Sequence, residues 1–209
     1  LCAIPHLPAR TIKDNESLKS FIGKLSEDAG CKKILVIGGG GNQKGNIESA
    51  EKKYRKIIEE DPNNFDAIFL LGTLYAQLKK FEKSKDFLIR SIKIKSYHAD
   101  SHNNLGNVYK ELGNYIEATR SYKRAINIDP KNVNFLNNYA LTLHIVKNYQ
   151  KSVETYNKAL VYEPENSMIN FNLSITYKVI GKYKESLDCL EKFLVMNPNN
   201  KNAQNIFQE

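Results

Sequence analysis

The pairs Leu71-Gly72, Leu105-Gly106, Tyr139-Ala140 and Leu173-Ser174 recur every 34 residues, and this period constrains the fold more than any single motif. Tyr75, Tyr109, Leu143 and Tyr177 keep the same step, as do Pro130, Pro164 and Pro198. Pro62 holds the phase earlier in the chain, with Ser96 at the intervening proline position. A period of this length marks an array of stacked supersecondary units rather than one closed core. Such an array offers a long binding wall in place of a catalytic pocket.

Residues 99–132 make the cleanest unit. Leu105, Val108, Tyr109 and Leu112 follow the i, i+3, i+4, i+7 spacing of an amphipathic helix. Gly113-Asn114 ends it, because both residues tolerate the left-handed conformation of a helix terminus. A second helix is expected from Tyr115 to Ile128, with Ala118, Tyr122, Ala125 and Ile126 on one face. Asp129-Pro130 stops it, since the residue before a proline is pushed out of helical space. Residues 65–98, 133–166 and 167–200 repeat the plan, turning at Lys79-Lys80, Lys147-Asn148 and Gly181-Lys182. One helix pair cannot bury its apolar stripe, whereas stacked pairs can. The small residues Gly72, Gly106, Ala140 and Ser174 let neighbouring helices approach.

The pattern Leu105-Gly106-x-x-Tyr109, Gly113-Asn114-Tyr115, Ala118, Tyr122, Ala125, Asp129-Pro130 resembles the tetratricopeptide repeat family. The resemblance runs from about Asn42 to Glu209. It implies an all-α fold: a right-handed α-solenoid of helix-turn-helix repeats whose first helices line a concave groove for peptides or partner helices. Ser84, Ser152 and Ser186 stand where the family usually has alanine, and Phe193 replaces the small residue matched by Ala125 and Ala159. The array divides into a half repeat at 42–64, full repeats at 65–98, 99–132, 133–166 and 167–200, and a partial cap at 201–209. Within the half repeat, residues 46–60 read as a second helix, with Gly45 at the turn position of Gly113 and Gly181.

Residues 1–41 have a different character. A strand end at Ile4–Arg10, a helix at Asn15–Leu25 and a strand at Ile34–Ile37 precede a run of four glycines. The expected fold is therefore a short strand-helix-strand segment ahead of the array, a barrel-like βαβ fragment or a linker. Its His-Leu-x-x-Arg and Leu-x-Ile-Gly-Gly elements resemble a segment of the methylenetetrahydrofolate reductase family, whose members are flavin-binding barrels. The resemblance covers about 40 residues, and Gly39-Gly40 stand where that family shows an acidic residue. One and a half βα units cannot close a barrel. A fused or mis-joined fragment is the expectation, and Leu1 in place of methionine suggests that the true start lies upstream. The sequence also leaves open an array cut short at both ends.

Composition limits the function classes. Among 209 residues, 41% are hydrophobic and 26% charged, the balance of a folded protein rather than a disordered one. No apolar run is long enough to span a membrane. Cys2, Cys31 and Cys189 are too few and too far apart for a disulfide framework or zinc site, which favours a reduced, cytoplasmic setting. The net charge of +8 comes from lysines scattered among glutamates, which read as solvated helix surface rather than a nucleic-acid face. The glycine run lacks the Lys-Ser/Thr of a phosphate loop, since Gly45 is followed by Asn46. His6, His98, His102 and His144 have no ligand or nucleophile partner at a motif spacing. No cofactor, metal or catalytic residue is expected.

Asparagines supply the binding candidates. Asn104, Asn138 and Asn172 recur at the repeat period, with Asn103, Asn107 and Asn137 beside them. On a helix, Asn103, Asn104 and Asn107 lie roughly 100–150° round from the core face, so they are expected to face the groove. A side-chain amide donates and accepts, so it can pair with both polar groups of a peptide backbone. This resembles the asparagine-lined groove of O-linked N-acetylglucosamine transferase, with Leu70 breaking the series one repeat earlier. The alternative is consensus filler, solvated or bonded to a neighbouring helix. Asn107 and Asn138 also match the asparagines of the two-carboxylate clamp that reads chaperone tails, but Asn103, Met168 and Asn172 replace its cations. Met168, Phe171, Ile175 and Val179 form an apolar patch in the last repeat. The expected function is a non-catalytic scaffold that binds an extended peptide or protein segment, with no nucleic acid and no membrane partner. The alternatives are a substrate-recruiting arm of a glycosyl- or sulfotransferase, or a fragment of a reductase-like flavoenzyme.

Overall fold

The computed structural model describes residues 43–208. The strand-helix-strand segment and glycine run read in residues 1–41 lie outside the described residues. The chain divides into two compact units, Leu1–Glu60 and Asp61–Glu209. In the first, the described residues form one helix, α1 (Gln43–Glu60). It starts earlier than expected and takes Gly45 into its first turn instead of placing it in a hairpin bend. Glycine costs a helix only about 1 kcal/mol in backbone entropy, so one in the first turn does not stop it. Ala50 and Tyr54 are buried, and they keep the phase of the later second helices.

The second unit is all helix among its described residues: α2 (Phe65–Gln77), α3 (Phe81–Ile94), α4 (Ala99–Glu111), α5 (Tyr115–Ile128), α6 (Val133–Ile145), α7 (Tyr149–Tyr162), α8 (Ser167–Val179), α9 (Tyr183–Met196) and α10 (Lys201–Gln208). First helices of 13 residues alternate with second helices of 14 in four hairpins. Local hydrogen bonds set these lengths. Asn64, Asn132, Asn166 and Asn200 each accept, through Oδ1, the backbone N–H three residues on, and so cap the first helices. His98 caps α4 instead, its Nδ1 accepting from Ser101 N–H at 3.1 Å. Each first helix ends at a left-handed residue: Lys79 (φ 57°), Gly113 (76°), Lys147 (62°) and Gly181 (76°). The N–H of that residue and of the next reach back to the last turn, as in Lys147 to His144 O at 2.9 Å and Asn148 to Leu143 O at 2.8 Å. This Schellman arrangement satisfies carbonyls that the helix end leaves over.

Apolar burial is local. One cluster joins Leu136 and Ala140 of α6, Tyr156 and Ala159 of α7, and Ile169 and Leu173 of α8. Another joins Tyr122 of α5 to Tyr139 and Leu143 of α6, and a third Leu88 of α3 to Leu105 and Val108 of α4. Each cluster binds a hairpin to its neighbour, which defines an α-solenoid whose stability is a sum of repeat and interface terms. At the close-approach sites, a Cβ on Gly106 would stand 2.6 Å from the Tyr122 ring, and one on Gly72 would stand 3.1 Å from Leu88 Cγ. Ser84, Ser152 and Ser186 lock each hairpin, their hydroxyls donating to the carbonyls of Gly72, Ala140 and Ser174 at 2.7–2.8 Å. Phe193 fills its position by packing with Leu190 and Ala203.

Candidate functional site

Successive first helices (α2, α4, α6, α8) touch one another directly, and amides bridge the seams between them. Asn138 Nδ2 of α6 donates to Asn103 Oδ1 of α4 at 3.0 Å, and Asn172 Nδ2 of α8 donates to Asn137 Oδ1 of α6 at 3.1 Å. One seam earlier the acceptor position holds Phe69, so Asn104 Nδ2 turns to Thr73 Oγ1, one helical turn further on, at 3.2 Å. Asn103 Nδ2 also makes a long contact of 3.5 Å to Asn104 Oδ1. The periodic asparagines are thus half-buried rungs between neighbouring helices.

The candidate residues divide accordingly. Asn104 bridges the α2–α4 seam, Asn103 and Asn138 come together at the α4–α6 seam, and Asn137 and Asn172 at the α6–α8 seam. Asn103 is buried, at 8% exposure, with its carbonyl engaged, rather than open to the groove. Asn107 turns towards its own hairpin, where Oδ1 accepts the Tyr122 hydroxyl at 2.8 Å. Burial pushes the Tyr122 phenol well up, so it remains a donor. Phe171 packs its ring on Phe193, with centroids 4.7 Å apart. A bridging amide uses one N–H, which leaves Asn138 and Asn172 a second N–H and a carbonyl each. Those groups are what an extended main chain could meet. Beyond the amides the wall turns apolar, with Ile145, Met168 and Val179 exposed.

Hydroxyls support the ladder. Thr142 and Thr176 donate to the backbone carbonyls of Asn138 and Asn172 at 2.9 Å. Thr176 also lies 3.0 Å from His144 Nδ1. Its one proton is already given to Asn172, so His144 donates through Nδ1 and carries its lone pair on Nε2. Burial lowers the pKa of His144 and keeps the ring neutral. The sequence reading missed the asparagine caps, although Asn64, Asn132, Asn166 and Asn200 stand at the repeat period in plain view.

Residues 42–95, 99–132 and 121–154 match models of the tetratricopeptide repeat, together more than half of the chain. The chain belongs to the tetratricopeptide repeat family. Crystal structures of repeat proteins share the fold. MamA superposes with a TM-score of 0.71 at 19% identity, over 81% of this chain and 99% of that one. YrrB, described as a TPR protein with an unusual peptide-binding site, gives 0.69 at 17% identity over 94% and 93%. At such identities the likeness speaks to fold alone. The UDP-N-acetylglucosamine–peptide N-acetylglucosaminyltransferase of Caenorhabditis elegans is 32% identical over 74 residues, which are 35% of this tetratricopeptide repeat chain and 6% of that enzyme. No described helix is long and apolar enough to cross a membrane.

Proposed function

We propose that the array is a non-catalytic protein-interaction scaffold that takes an extended peptide along the first-helix face. The observation that carries this reading is the ladder at Asn104, Asn138 and Asn172. Each amide is fixed by one inter-repeat bond, and the two lower rungs keep a donor and a carbonyl. Amides already held in place lose little side-chain entropy on binding. Asn137 and Asn103 position the rungs, Asn107 flanks them, and Phe171 holds the apolar end of the wall through Phe193. Main-chain pairing of this kind tolerates many sequences, which suits a scaffold in a reduced, cytoplasmic setting.

The test is a fluorescence titration with unstructured peptides selected from a display library. Replacing Asn104, Asn138 and Asn172 together by alanine should weaken binding at least about tenfold. Circular dichroism at the same temperature checks that the variant stays folded, because the ladder also joins helices. Unchanged affinity in a folded triple variant would overturn the proposal.

A second reading is favoured by the 74-residue similarity to the peptide-modifying transferase: the array would present substrates to a catalytic domain. It predicts that bound peptides are acceptor substrates of such an enzyme, which a transfer assay in trans would detect.

A further inference from the structure

The second helices α3 and α5 lack the direct contact that successive first helices make, and a cleft opens between them. It is floored by α4 and has a volume of about 240 Å³. Ile89 and Ile92 from α3 and Leu105 from α4 make its lining predominantly apolar. Lys93 stands on one bank, and Arg120 and Arg124, one helical turn apart, stand on the other. None of these three cations lies within 4.0 Å of a described carboxylate. His102 closes one end, its Nε2 held 2.9 Å from the Ser96 carbonyl.

An apolar floor flanked by cations that have no described carboxylate partner selects one chemistry. We infer that the α3–α5 cleft is a second docking site, for an acidic protein segment carrying one large apolar side chain. The apolar side chain seats on Ile89, Ile92 and Leu105, and carboxylates on either side of it pair with Lys93, Arg120 and Arg124. Three features decide between occupants. The volume falls below the usual range of about 300–1,000 Å³ for small-molecule sites, which fits an anchor side chain better than a cofactor. No Phe, Tyr or Trp lines the cleft and its one ring, His102, is tied to the Ser96 carbonyl, so it offers no run of rings for stacking nucleic-acid bases. Paired arginines on one helix can grip carboxylates bidentately, and the net charge of +8 favours encounter with an acidic partner. The site is independent of the asparagine ladder and uses none of its residues.

The test uses a fluorescein-labelled peptide with one leucine among glutamates, and a control with serine for the leucine. Anisotropy should report binding of the leucine peptide that weakens with added salt. Methyl NMR shifts should fall on Ile89, Ile92 and Leu105. The exposed-surface double variant R120A/R124A should lose at least about tenfold in affinity, while the Asn104/Asn138/Asn172 triple variant keeps it. In the Asn104/Asn138/Asn172 triple-alanine background, where the sequence-tolerant ladder is removed, the inference is overturned by absence of binding, by equal binding of the serine control, or by unchanged affinity when R120A/R124A is added. Binding of phosphatidylserine vesicles through the same arginines, with no peptide binding, would assign the cleft to membranes and overturn it too.

Discussion

At equivalent places in the repeats at 99–132 and 133–166, the third and fourth when the half repeat is counted, stand Tyr122 and Tyr156. Neither has any exposed surface, and of the two only Tyr122 has a partner for its hydroxyl among the described residues. In the third repeat the ring lies on Gly106 and the hydroxyl reaches Asn107. In the fourth, Ala140 and Leu141 occupy those two positions, and the Tyr156 hydroxyl is buried unpaired. The two hairpins share helix lengths and a buried ring, yet differ in polar completion. Apolar volume therefore fixes the scaffold, while single polar residues decide how well each copy is finished and what its wall displays. Asn107 gives the third repeat an amide, and Leu141 gives the fourth a methyl surface.

The largest way to break this comparison is Gly106→Ala. Its Cβ would meet Tyr122 ring atoms at 2.6–2.9 Å, so about 1–3 kcal/mol of stability should be lost in urea titrations. At Gly72 the same change meets side-chain atoms at 3.1–3.2 Å, and better helix propensity offsets part of the cost. Equal losses at the two glycines would show that the ring position is not what distinguishes the third repeat. Next come the tyrosines themselves. Tyr122→Phe should cost about 1 kcal/mol, whereas Tyr156→Phe should be neutral or stabilising by up to about 1 kcal/mol, because it removes an unanswered hydroxyl. Thermal melts of both single variants decide this, and a matching loss at Tyr156 would mean its hydroxyl is satisfied in solution.

The turns give a third test. Gly113 closes the first helix of the third repeat, while Lys147 does so in the fourth at φ 62°. A left-handed non-glycine residue costs roughly 1–2 kcal/mol, so Lys147→Gly should raise stability by up to about 1 kcal/mol in urea titrations after the entropy of glycine is subtracted. Gly113→Lys should lower it.

The smallest effect is on pH. His98 caps the first helix of the third repeat and Asn132 that of the fourth. Burial lowers the pKa of His98, aided by Lys95 and His102 and opposed by Asp100 and Asp66. Its folded state prefers the neutral ring, so this contribution is complete above the unfolded pKa of about 6.5. It is lost as pH falls from there through the folded value. Protonation also removes the lone pair that accepts Ser101 N–H. Melting temperature should drop by about 1–2 °C on acidification beyond the general trend, and His98→Asn should reduce that excess, leaving the share that comes from His144.

Much of the scaffold was legible because periodicity survives substitution. Gly113-Asn114, Asp129-Pro130 and the small-residue sites marked helices whose ends agree with the structure. The left-handed turns at Lys79 and Lys147 were readable only by their phase, since lysine carries no signal for that conformation. The ladder was half legible. A helical wheel placed Asn103 and Asn107 away from the core, but the partner of an amide depends on the facing helix, 31 or 35 residues away. Asn103 is covered by the next repeat and Asn107 is drawn to a tyrosine, neither of which a single helix reveals. The α3–α5 cleft escaped notice for the same reason: Lys93, Arg120 and Arg124 read as scattered surface charge until two helices bring them together.

Because every described cluster of buried side chains between Phe65 and Gln208 ties a hairpin only to its neighbours, force applied at the two ends of these hairpins has no central keystone to break. Under tension they would pay out length in steps of one hairpin, each able to snap back, as a spring does.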